Sequence, residues 1–253
     1  MPYHHEGSTS SRSDQHPLDQ VIWRALTTVH GQFAEGDERA RRYPAAVASF
    51  AATIDLEPAS LRSLLALLGP DDRIALFTTA EVQPPATFSV LRRDSVDQMI
   101  LECVGACATP RAAPIVKLGA ADVSEMLALA TVAQPGPFGP RTIELGDYIG
   151  VRRRGVLVAM AGERMHLDGF TEISAVCVDA AHRGRGLAAD LVRSLAASIA
   201  ASAATPFLHV FSSNHAAIAL YRKLGFVLRR RVHLAVLGRA EGGLIGGTPR
   251  FVR

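Results

Sequence analysis

Along the chain, apolar residues recur at helical spacing in some stretches and in short unbroken runs in others, and this alternation marks out helices and strands. The run HPLDQVIWRALTTVHGQF, beginning at His16, places Leu18, Ile22, Ala25, Leu26 and Val29 on one face and predicts a first helix. Residues 39–54 and 58–68 read as two more helices, the second stopped by Gly69-Pro70. Residues 74–78 and 87–91 read as short strands, and Asp94-Ser95 reads as the cap of a helix running towards Cys107. The segment ATPRAAP, residues 108–114, is rich in Ala and Pro and is the expected boundary between an N-terminal α/β region, 17–112, and a second unit, 113–239.

In the second unit the pattern predicts a strand at 115–118, then a helix from Asp122 through Val132, then a Pro/Gly-rich loop, QPGPFGPR. A hairpin follows, with strands 148–152 and 155–161 around residues 153–155, and a third strand covers 172–178. Leu187, Leu191, Val192, Leu195 and Ile199 mark one face of a long helix. A strand at 207–211, a helix at 214–224 and one or two strands within 226–237 complete the pattern. Strands alternating with helices predict an α/β fold with a mixed central sheet covered by helices. Residues 1–16 and 240–253 read as tails.

Composition narrows the function classes. With 48% hydrophobic and 20% charged residues, the chain of 253 residues is globular rather than disordered. No apolar run reaches the roughly 18 residues of a spanning helix, and the polar start lacks a signal-peptide core, so the cytosol is the default location and no membrane partner is expected. Cys103, Cys107 and Cys177 have neither zinc-site spacing nor the density of a disulfide scaffold and read as reduced thiols, with no metal site expected. His4 and His5 read as residues of a solvated tail. The net charge of +3 is too small for a nucleic-acid footprint, although the arginines clustered at 183 and 185 and at 229–231 suit a small polyanion.

The strongest local signal is a strand, then His182-Arg183-Gly184-Arg185-Gly186-Leu187-Ala188, then a helix. Glycines at such a turn let the backbone approach an anion closely, and the first amides of the helix point at it with the positive end of the dipole. This is a phosphate cradle without the GxxxxGK[ST] of a Walker loop and without the third glycine of a dinucleotide fingerprint. Downstream, Asn214-His-Ala-Ala-Ile-Ala-Leu-Tyr221-Arg-Lys-Leu-Gly225-Phe226 reads as a helix capped by Asn214 and closed at Gly225, with Ala217, Leu220 and Leu224 on its apolar face and Tyr221 at the margin.

These motifs together resemble the GNAT superfamily of N-acetyltransferases: the strand EISAVCVDAAH, the R-G-R-G-L-A turn and the N-x-x-A-x-x-L-Y-x-x-x-G-F helix occur in the family's order over about 115–237. The opening HPLDQVIWRAL looks like the N-terminal extension of a GNAT subgroup. The resemblance implies a GNAT-type mixed sheet and acetyl-CoA as cosubstrate. It implies that Val176, Cys177 and Val178 hold pantetheine on a splayed strand, and that Arg183, Gly184, Arg185, Gly186, Leu187 and Ala188 hold the pyrophosphate. Asn214 and Ala217 would lie along the pantetheine arm, Tyr221 would serve the leaving thiol as acid, and Glu172 would be the base. Each role has a plainer counterpart: Tyr221 as a partly buried helix tyrosine, Glu172 as a solvated carboxylate or an arginine's ion-pair partner, and Cys177 as a small buried hydrophobe.

The implied activity is direct transfer of an acetyl group to a primary amine acceptor, by a monomer or a homodimer. The readings from other classes are a non-catalytic CoA-binding regulatory or scaffold protein, and a nucleic-acid-binding protein with a basic patch.

Overall fold

The computed structural model describes residues 16–102 and 114–240. The tails apart from His16 and Ala240, together with Cys103, Cys107 and nearly all of the expected boundary segment, lie outside the described residues. Among the described residues no helix is long and apolar enough to cross a membrane.

A short 3-10 turn leads into α1 (Val21–Thr27). The strands β1 (Glu35–Gly36), β2 (Ala40–Arg42) and β3 (Ala51–Thr53) follow and form a three-stranded antiparallel sheet. Next come α2 (Pro58–Ala66), β4 (Arg73–Thr78) and the long β5 (Phe88–Leu101). Past the undescribed segment lie β6 (Ile115–Leu118), α3 (Val123–Ala133), β7 (Tyr148–Arg153), β8 (Val156–Leu167) and β9 (Phe170–Val178). The chain finishes with α4 (Leu187–Ala201), β10 (Thr205–Phe211), α5 (His215–Lys223) and β11 (Phe226–Arg239).

Three expectations for the N-terminal half are corrected. The first helix stops at Thr27, so Val29 lies outside it and is 46% exposed. Residues 39–54 are not a helix. Pro44 breaks the run, since it lacks the donor a helix interior needs, and the flanking segments pair instead as β2 and β3, Ala40 opposite Thr53. Asp94-Ser95 caps no helix but lies inside β5, which pairs with β10 on one side and β11 on the other. Its second half, from Val96 to Leu101, is largely buried on both faces and carries no apolar/polar alternation, while residues 90–93 of its first half are exposed. Its polar Asp97 and Gln98 are buried but partnered, Asp97 by Ser212 Oγ at 2.5 Å and by Arg231 Nε at 3.0 Å.

Eight strands form the central mixed sheet in the order β4-β11-β5-β10-β9-β8-β7-β6. Because β5 sits between β10 and β11, strands from before and after residues 103–113 interleave in one sheet. The β7–β8 hairpin turns at Arg154-Gly155, both at positive φ, as a two-residue turn matched to strand twist requires. Helices α4 and α5 cover one face, where Leu191, Val192, Leu195 and Ile199 pack with Leu208, Ile218 and Phe226. The opposite face is covered at one end by α3, through Met126 and Leu129, and further along by the N-terminal elements, through Leu18, Ile22, Tyr43 and Phe50.

Candidate active site

Strands β9 and β10 are parallel neighbours for only a short distance. Their pairing is Thr205 with Phe170, Pro206 with Thr171 and Phe207 with Glu172. Beyond Glu172, β9 stays paired to β8 as far as Val178, while β10 stays paired to β5 as far as Phe211. Each strand therefore keeps its outer neighbour while the two part from one another, which leaves inner-edge amides and carbonyls free of the ladder. A bulge adds to this: Met160 faces Cys177 and Gly162 faces Ser174, so Ala161 alone opposes Ala175 and Val176, with Ala175 at φ 52°.

The free end of β9 leads into the glycine turn. Asp179 caps a 3-10 turn, its Oδ1 accepting from Ala181 N at 2.9 Å and lying 3.0 Å from His182 Nδ1. Gly184 and Gly186 follow at φ 74° and 81°, and a Cβ at either would meet nothing within 4 Å. Their requirement for glycine is conformational, and the space above them is open. Gly186 caps α4, and the first intrahelical bond runs from Asp190 N to Gly186 O, so the amides of Leu187, Ala188 and Ala189 have no intrahelical partner. Arg183 and Arg185 flank the turn with exposed side chains.

Helix α5 brings the second motif to the same face. Asn214 Oδ1 accepts from Ala217 N at 3.1 Å, so this side chain serves as the cap. Tyr221 is buried in the same cluster as Leu187 of the turn, and Val176, Val178 and Ala217 pack against that cluster. Burial pushes the Tyr221 hydroxyl up to about 12, so it stays a protonated donor near neutral pH. Cys177 points the other way, towards Met160 and α3, and burial raises its thiol to about 12, as befits an inert core cysteine.

Glu172 is on the opposite face from Tyr221, at the last β9–β10 pair, and is fully buried. Arg164 grips it through two bonds, Nε to Oε2 at 2.9 Å and Nη2 to Oε1 at 2.6 Å, and His209 Nδ1 lies 2.7 Å from Oε1. Burial pushes this carboxyl up, but Arg164 and His209 outweigh burial and hold it at about 2. Of the readings of Glu172, the geometry carries the arginine ion pair; a carboxylate so saturated with donors is a poor proton acceptor.

The FR47-like protein family matches residues 148–234, which run from β7 to β11. A protein of the GNAT family from Novosphingobium aromaticivorans is 38% identical, with 90% of this chain and 100% of that one covered and a TM-score of 0.83. The chain belongs to the GNAT family. A GCN5-related N-acetyltransferase from Kribbella flavida, 20% identical, shares the fold at a TM-score of 0.58 over 88% of this chain and 97% of its own. A conserved Staphylococcus epidermidis protein of unknown function, 12% identical, does so at 0.57 over 90% and 99%. No curated protein matches.

The GNAT fold thus gathers the turn, β9 and Tyr221 on one side of the sheet and leaves Glu172 on the other. Arg164, His209 and Gln98, which surround Glu172, were not singled out from the sequence. Arg164 stands in GERMHLDG, between two segments read as strands, and Gln98 in a segment read as a helix. His209 carried a usable signal, as a polar residue inside the apolar run PFLHVF.

Proposed function

We propose that this GNAT chain transfers an acetyl group from acetyl-CoA to a primary amine, in the cytosol, by direct attack within a ternary complex. The observation that carries the reading is the continuity of three features: the β9–β10 splay, the open glycine turn and the unpartnered first amides of α4. Pantetheine would lie along Val176, Cys177 and Val178 with Asn214 and Ala217 beside it, and the pyrophosphate would meet residues 183–188. Arg183 and Arg185 supply charge there.

The chemistry is acyl transfer. The neutral amine nitrogen bonds to the thioester carbon and gives up a proton to solvent, the carbonyl oxygen takes up negative charge, and the C–S bond breaks as the tetrahedral intermediate collapses. A backbone amide in the Ala175–Val176 bulge is the proposed oxyanion donor. The Tyr221 hydroxyl donates to the departing sulfur, and its proton is replaced from solvent. Tyr43, Phe50 and Phe77, all from the N-terminal half, lie over the far face, and Phe77 reaches a centroid distance of 4.7 Å from His209. In this reading residues 17–102 line the acceptor side. An acetyl-CoA consumption screen against a mixed amine panel, with mass detection of product, tests the reading: coenzyme A binding without any acylated product would replace it with a non-catalytic binding protein.

A further inference from the structure

The tip of the splay is bridged by side chains. Glu172 is the last β9 residue paired with β10, and His209 stands two positions beyond its partner Phe207, on the strand that is moving away. The imidazole reaches back across the widening gap, its Nδ1 2.7 Å from Glu172 Oε1. Both side chains are buried, so this contact is shielded from water.

The remaining atoms fix its chemical form. Gln98, cross-strand partner of His209, donates its amide nitrogen to Leu18 O at 2.9 Å, and the same nitrogen lies 3.0 Å from His209 Nε2. A carbonyl only accepts, so the atom facing Leu18 must be the nitrogen, and its second hydrogen points at Nε2. Nε2 is then the acceptor, and the single ring proton sits on Nδ1, donated to Glu172. Arg164 takes the other side of the carboxylate, with its guanidinium 4.6 Å over the Phe50 ring. With both nitrogens engaged, His209 has no lone pair to offer an incoming amine.

We infer that His209 and Glu172 form a strut across the tip of the splay, locked by Gln98 and Arg164, and that this strut sets how far β9 and β10 open to admit the donor's pantetheine arm. These are positioning residues, and the inference rests on the acyl-CoA reading of the splay. It gives the N-terminal half a task, because β5 and the Leu18 carbonyl hold the imidazole in its working tautomer.

The test is calorimetric titration with coenzyme A, alongside donor KM and kcat, on the wild type, His209→Leu and His209→Gln. His209→Leu should weaken coenzyme A by about tenfold or more, the scale of a lost hydrogen bond to a charged group, and should raise donor KM more than it lowers kcat. His209→Gln, whose amide can donate to Glu172, should recover most of the loss. A folded His209→Leu with affinity within about twofold of wild type would overturn the strut. A wild type that binds no coenzyme A would overturn the acyl-CoA reading beneath it. Should His209→Leu not fold, nitrogen NMR of the wild-type ring decides: a proton on Nδ1 and a bare Nε2 support the strut, and the opposite tautomer or a doubly protonated ring sinks it.

Discussion

At the scale of single residues, Tyr221 and Glu172 show how environment assigns roles that residue type leaves open. Tyr221 is almost enclosed by apolar neighbours, and burial alone lifts its hydroxyl to about 12. It keeps its proton at neutral pH and so is available as a donor to an emerging thiolate. Tyr221→Phe, which keeps the packing, should lower kcat by about 100-fold, the lower range for general acid catalysis, and leave coenzyme A affinity nearly unchanged. Equal losses in both measurements would make Tyr221 a binding residue. For Glu172 the partners decide. Removing it strands a buried guanidinium, so Glu172→Gln should cost about 3–5 kcal/mol in urea unfolding. The double variant Arg164→Met/Glu172→Leu should cost clearly less than the sum of its singles, since it removes both charges together.

At the scale of elements, the second half of the chain was legible and the first half much less so. The glycine turn, the amphipathic α4 and the Asn214-capped α5 are encoded locally: positive φ at Gly184 and Gly186, periodic burial of Leu187, Leu191 and Leu195, and a capping side chain all act within a few residues. By contrast, β5 owes its state to strands from distant parts of the sequence on both flanks. No local pattern could announce that Asp97 and Gln98 would find partners at Ser212, Arg231 and Leu18. Segment 39–54 failed for a related reason, as its alanines favour a helix while Pro44 and the β2–β3 pairing prevent one. Local encoding makes the turn the most direct element to test. Gly186→Asp puts a side chain on a left-handed residue and a negative charge at the N-terminus of α4, where a diphosphate would sit. Coenzyme A binding should fall at least about 100-fold, and retained affinity would move the phosphate site elsewhere.

At the scale of the whole molecule, the far face of the sheet holds a buried polar layer that couples stability to pH. His30 is enclosed, its Nδ1 2.8 Å from the Tyr43 hydroxyl and its ring 5.4 Å from that of His166. Burial, with His166 adding to it, lowers its pKa from 6.5 to about 4. The unfolded chain therefore binds a proton that the folded chain refuses, so this contribution is full above pH 6.5 and drains away as the pH falls towards 4. At about 1.4 kcal/mol per unit the loss approaches about 3 kcal/mol. Glu172 acts in the same direction but lower, its contribution present above 4.5 and lost as pH falls through about 2. The two windows overlap little and can be separated by mutation. Between pH 7 and 4 the wild type should lose about 3 kcal/mol more than His30→Gln in urea unfolding, because the amide has no proton to gain. Parallel stability curves for the two proteins across that range would show that His30 takes up its proton as readily folded as unfolded, and would remove the histidine from the acid sensitivity of the fold.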